Sequence, residues 1–250
     1  MPSTARAALD FLALPERHRY GSRRVQSAEL WLPRRRGPHR AAVVIHGGYW
    51  RARWGKFVMK ALCADLARRG MAAWNIEYRR LGRGQGGGWP ATFDDVAAAI
   101  DHLADVADGR VDLDSVGALG HSAGGQLALW AASRRDARVP IRRVAAQAPV
   151  CDMVASGDPA VELLGGTPET VPDRWAAVNP MQLIPLGVPV RIVHGPEDAT
   201  VPLTRSRRYV AAARAVGDDV ELVHPSPGGH RIHVDPRSSA WEAAADFLLG

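Results

Sequence analysis

The sequence predicts an α/β fold, a mostly parallel sheet flanked by helices, and three observations predict it. Short apolar runs alternate with amphipathic stretches along the 250 residues. Successive runs stand about 20 to 30 residues apart, the spacing of strand–helix–strand units. Several runs end in glycines, where a chain leaving a buried strand must turn sharply.

Residues 1–22 are expected as a leader helix or loop. RRVQSAELWLP, 23–33, alternates as an antiparallel edge strand does. AAVVIHGG, 41–48, reads as a buried strand running into two glycines, and KFVMKALCADLARRG, 56–70, as a helix stopped by Gly70. MAAWNIEYR, 71–79, is extended again, and a glycine-rich loop closed by Pro90 leads into the amphipathic helix 91–107. VDLDSVGALG is a strand ending at Gly120, and SAGGQLALWAASRR a helix opened by small residues. Strands follow at 142–150, 187–195 and in VELVH, with helices at 202–217 and 239–249. The stretch 151–186 shows no strong strand and is expected as a short lid or insertion. The whole chain, 1–250, is expected as one domain.

Composition excludes several classes. At 46% hydrophobic and 23% charged the chain matches neither a disordered nor a fibrous protein. No apolar run is long enough for a membrane span, and the start lacks the apolar core and cleavage site of a secretory signal. Cys63 and Cys151 make neither a disulfide framework nor a metal cluster, so a cytoplasmic location is expected. The formal charge of +6 comes from arginines scattered through every segment, often beside acids, with two short clusters at Arg34–Arg36 and at Arg205 with Arg207 and Arg208. That pattern argues against nucleic acid as the ligand.

The sharpest motif is Gly120-His121-Ser122-Ala123-Gly124, a G-x-S-x-G between a strand and a helix. In that context small neighbours allow a strained turn that lifts the serine hydroxyl out of the sheet, beside a helix N-terminus. His46-Gly47-Gly48-Tyr49-Trp50 follows another strand, and its amides can face a site unobstructed. An oxyanion hole built from the amides of Gly48, Tyr49 and Ala123 is the expectation. His46, before the glycines, suits a brace for that loop. A serine nucleophile also needs a base and an orienting acid. Asp198, with Glu197 as alternative, follows the strand at 187–195. His230, with His233 as alternative, follows the last strand.

With HGGYW at 46–50, EYRRL at 77–81, GHSAGGQLA at 120–128, HGPEDATVP at 194–202 and GGHRIHVDP at 228–236, the chain resembles the α/β-hydrolase superfamily. Within it, the resemblance is to small esterases and arylformamidases of the kynurenine formamidase kind. It implies an α/β-hydrolase fold and a catalytic triad of Ser122, Asp198 and His230; no cofactor is expected, and with no H-E-x-x-H or C-x-x-C among 9 histidines and two cysteines no metal is expected either. Tyr49 stands where lipase relatives usually carry a third glycine. Eight tryptophans against four phenylalanines suggest an aromatic substrate pocket, with Trp50, Trp54 and Trp89 as candidates. The expected reaction is hydrolysis of an aryl formamide such as N-formyl-kynurenine through an acyl-serine; the alternative is a carboxylesterase for small acyl or acetyl esters. The expected partner is a small ester or amide substrate, not a membrane or nucleic acid, and a homodimer is left open.

Overall fold

The structure, a computed structural model, describes residues 14–225 and 228–250. Eight strands form one sheet: β1 Glu16–Arg19, β2 Ser27–Trp31, β3 His39–Ile45, β4 Ala72–Ile76, β5 Val111–His121, β6 Val144–Gln147, β7 Val190–Val193 and β8 Val220–Val223. Their order is β1-β2-β4-β3-β5-β6-β7-β8. From β4 to β8 every neighbouring pair is parallel, while β2 joins antiparallel to β4 and β1 antiparallel to β2.

The sheet is parallel because helices cross over between its strands, and both faces are therefore covered. In β3 the alternation decides which residue meets which layer: Ala41, Val43 and Ile45 face one core, Ala42 and Val44 the other. The first core is filled by α2 (Ala91–Asp101), α4 (Ala123–Ala132) and α8 (Leu203–Ala215), the second by α1 (Lys60–Arg69) and α9 (Ser239–Leu249). Local signals set the helix ends. Gly70 stops α1 in the left-handed region, and Ser238 caps α9 by accepting from the Trp241 amide at 3.0 Å.

The sequence places the last helix at 239–249, which is α9, whereas the helix expected over 91–107 is interrupted at His102 and resumes as α3, Leu103–Val106. Residues 1–13 of the expected leader lie outside the described residues, and Glu16–Arg19 within it is a strand rather than a helix or loop. β1 pairs only with β2, at the rim, where a polar and largely exposed sequence can hold backbone bonds with no apolar face to mark it. The stretch 151–186 carries α5 (Asp158–Leu164), α6 (Pro172–Val178) and α7 (Pro180–Leu183), whose Leu163, Leu164, Trp175 and Val178 join the first core. No helix among the described residues is long and apolar enough to cross a membrane.

Candidate active site

The carboxyl ends of four parallel strands converge on one place, where ligands of open α/β sheets bind. β3 ends in the loop His46–Trp50, β5 in Ser122, β7 in the loop carrying Asp198, and β8 in the loop carrying His230. Ser122 has φ 56° and ψ −119°, a strained conformation for a residue with a Cβ. Close packing makes the turn possible. A Cβ on Gly124 would stand 2.1 Å from the Ile45 carbonyl oxygen, so only glycine lets α4 start this near β3. The strain is held by the Ser122 amide, which donates to the Gln147 carbonyl at 2.8 Å.

The acid and histidine loops meet in the same way. A Cβ on Gly195 would fall 1.9 Å from the Gly228 carbonyl oxygen, so the two backbones touch just before Asp198 and His230. The result is direct: His230 Nδ1 donates to Asp198 Oδ2 at 2.7 Å. Asp198 Oδ1 accepts from the amides of Thr200 and Val201, both at 2.8 Å. His194, fully buried, stands with Nε2 3.2 Å from Asp198 Oδ2 while donating to the Val201 carbonyl at 2.9 Å. Burial pushes the Asp198 carboxyl up, but the bonds from His194, His230 and the Val201 amide outweigh it and hold the group well below the usual carboxylate range.

Ser122 and His230 line one cavity of about 220 Å³, with Gly47, Gly48, Tyr49, Trp54, Val58, His121, Thr200, Arg231 and Val234 around them. Among the described residues Ser122 Oγ makes no hydrogen bond, and it faces the cavity where a substrate carbonyl would lie. The backbone leading to Gly48, Tyr49 and Trp50 is unusual, with φ of 116°, 56° and 55° in succession. Buried ties hold it. Trp50 Nε1 donates to Gln126 Oε1 at 3.1 Å, and the Trp50 carbonyl accepts from the Leu81 amide at 2.7 Å. Among the described residues the amides of Gly48, Tyr49 and Ala123 donate to no protein acceptor, so all three can serve a developing oxyanion. No group of three or more His, Cys, Asp or Glu among the described residues is placed to hold a metal ion.

The profile of the BD-FAE family matches residues 29–212. The chain belongs to the BD-FAE family. No curated protein matches it in sequence. Among solved structures, a carbohydrate esterase from gut microbiota, in truncated form, superposes with a TM-score of 0.80 at 20% identity, over 95% of this chain and 96% of that one. A thermophilic esterase of the planctomycete Thermogutta terrifontis, Est2, gives 0.76 at 24% identity, over 95% and 91%. It has also been solved with propionate or butyrate bound and after phosphonylation by sarin. A bifunctional GH43-CE protein of Bacteroides eggerthii gives 0.79 at 23% identity, and this chain spans 38% of its length. At such identities the likeness is one of fold, and the fold is the α/β-hydrolase fold. The carbohydrate esterase and Est2 carry esterase names, and these likenesses do not show the narrower arylformamidase branch.

In this BD-FAE chain the aromatic pocket expected from Trp50, Trp54 and Trp89 is corrected to Trp54 alone. Trp50 is 1% exposed and serves as the anchor of its loop, because its indole N–H has a buried partner on α4. Trp89 packs on Phe93, ring centroids 5.5 Å apart, against the first core. The alternative base, His233, is fully buried with both ring nitrogens unpartnered and does not line the cavity. Glu197 is exposed, and it is the Asp198 carboxylate that reaches His230. His46 bridges the Gly47 carbonyl at 2.8 Å and Glu77 Oε1 at 2.7 Å and stacks on Tyr78, the brace its position suggested. No residue of 151–186 lines the cavity.

Two contributors were not legible as such. His121, directly before the serine, donates from Nε2 to the His230 carbonyl at 2.9 Å, its ring centroid 4.7 Å from that of His230. Burial pushes it down to about 3, so it stays neutral and adds no charge beside His230. Its signal was its place in the motif. Arg231, directly after His230, also lines the cavity.

Proposed function

We propose that this protein is a serine esterase for small acyl esters, working through Ser122, His230 and Asp198. The observation that carries the reading is the 2.7 Å bond from His230 Nδ1 to Asp198, with His230 and Ser122 lining one cavity. Holding the proton on Nδ1 leaves Nε2 with the lone pair that can accept the Ser122 proton. Ser122 Oγ then bonds to the carbonyl carbon, and the amides of Gly48, Tyr49 and Ala123 receive the oxyanion. Collapse breaks the bond to the leaving oxygen, which takes the proton from His230. Water, deprotonated by His230, repeats the sequence on the acyl-serine and releases the acid.

The cavity supports a small substrate. Its volume of about 220 Å³ lies below the roughly 300–1,000 Å³ of ordinary small-molecule pockets. The esterase names and the propionate and butyrate complexes of the structural relatives point the same way. Aryl formamides such as N-formyl-kynurenine are the competing class, for which a three-tryptophan pocket would have argued; one tryptophan, Trp54, lines the cavity. The test compares kcat/KM for phenyl acetate and phenyl butyrate with that for N-formyl-kynurenine. A preference for the esters is expected, and a strong preference for the formamide would overturn the assignment.

A further inference from the structure

We infer that the leaving-group side of the cavity selects a carboxylate, so that the preferred substrates are acyl esters of hydroxy acids, with Arg231 as the specificity-determining residue. The inference rests on the esterase reading above. The cavity lining contains no Asp or Glu, and apart from its histidines and Tyr49 the ionisable side chain in it is Arg231. Asp198 cannot neutralise it, being engaged by His230, His194 and two amides. Among the described residues the Arg231 guanidinium makes no hydrogen bond or ion pair, and the residue's backbone carbonyl accepts from the Val234 amide at 3.3 Å. What holds it is the Trp54 indole, 5.5 Å from the guanidinium carbon to the ring centroid. A guanidinium lying against an aromatic ring keeps its N–H groups in its own plane and free to bind a carboxylate.

Arg53 also lies over Trp54, at 5.7 Å, and likewise has no acidic partner among the described residues. Elsewhere the arginines are commonly matched, as Arg69 is by Asp65 and Glu242 and Arg79 is by Asp95. Arg231 and His230 line the same cavity, and since His230 must protonate the leaving oxygen, the leaving-group side is the one we assign to Arg231.

The test uses 4-acetoxybenzoate, its neutral methyl ester, and phenyl hemisuccinate, which carries its carboxylate on the acyl side. Variant-to-wild-type ratios of kcat/KM cancel the intrinsic reactivities. Arg231→Gln is expected to lower kcat/KM for 4-acetoxybenzoate about tenfold, the loss of one charge-assisted contact, with the methyl ester changed less than about threefold. Arg231→Lys should restore part of the preference. Binding of the product 4-hydroxybenzoate, followed by tryptophan fluorescence, should weaken in parallel and tests the subsite without turnover. Equal losses on both benzoates, a larger loss on the hemisuccinate, or unchanged binding of 4-hydroxybenzoate would overturn the proposal. The esterase reading is read separately, from wild-type turnover of the methyl ester.

Discussion

Replacing Asp198 with Asn changes one atom type and should disable the site while leaving the fold intact. Asp198 Oδ1 accepts from the Thr200 and Val201 amides at 2.8 Å each. An asparagine can satisfy both only by turning its carbonyl oxygen toward them. Its NH₂ then faces His230 Nδ1, 2.7 Å away in the native pair, and His194 Nε2 at 3.2 Å. Flipping the amide would oppose NH₂ to two backbone donors, which is worse. His230 must therefore surrender the proton on Nδ1 and carry it on Nε2, the nitrogen needed to take the Ser122 proton. A tautomer error of this kind costs about 10⁴ in turnover, equivalent to roughly 5 kcal/mol of barrier. Stability should suffer less, by about 1–3 kcal/mol for the lost charge-assisted bonds. The assay is kcat/KM for phenyl acetate beside a thermal melt. Activity within about tenfold of wild type, in a cooperatively folded variant, would refute the tautomer argument.

Other expectations follow from the same geometry. Gly124→Ala forces a Cβ to 2.1 Å from the Ile45 carbonyl oxygen, and overpacking of about 1–3 kcal/mol should lower Tm by several degrees, whereas Gly229→Ala, whose Cβ would have its nearest contact among the described residues 4.0 Å away, should melt near wild type. Burial pushes His233 down to about 2 and His121 to about 3. Since the unfolded chain binds those protons below about pH 6.5 and the folded one does not, their contribution is full above that pH and falls as pH drops toward 3. His233→Met should flatten the Tm–pH slope between pH 6 and 4; an unchanged slope would count against it. Asp198, held below its ordinary range, contributes stability above that range and loses it as pH falls further, so Asp198→Asn should melt with less dependence on pH below about 4.

The motifs with tight steric demands were the legible part. Ser122, Asp198 and His230 could be read because a strained serine turn needs small neighbours and because acid and base follow successive strands. The parallel core was legible in runs such as Ala41–Ile45, buried on both faces. β1 was not, since an edge strand with an exposed ERHR sequence needs only backbone partners. The tryptophans misled for a different reason. Proximity to a loop in sequence does not fix which way an indole points, and Trp50 turned inward because Gln126 offered its N–H a buried acceptor. His121 and Arg231 stand next to Ser122 and His230 in sequence, but what their side chains face depends on how the loops at the ends of β5 and β8 meet.

The central claim is that Ser122 is the nucleophile of an esterase. Treating the protein with a fluorophosphonate and mapping the adduct by peptide mass spectrometry tests it most directly, alongside phenyl acetate turnover by Ser122→Ala. One phosphonyl group on the peptide containing Ser122, no labelling of the variant and loss of nearly all its turnover are the expected results. An adduct on another residue, or substantial turnover by Ser122→Ala, would contradict the account.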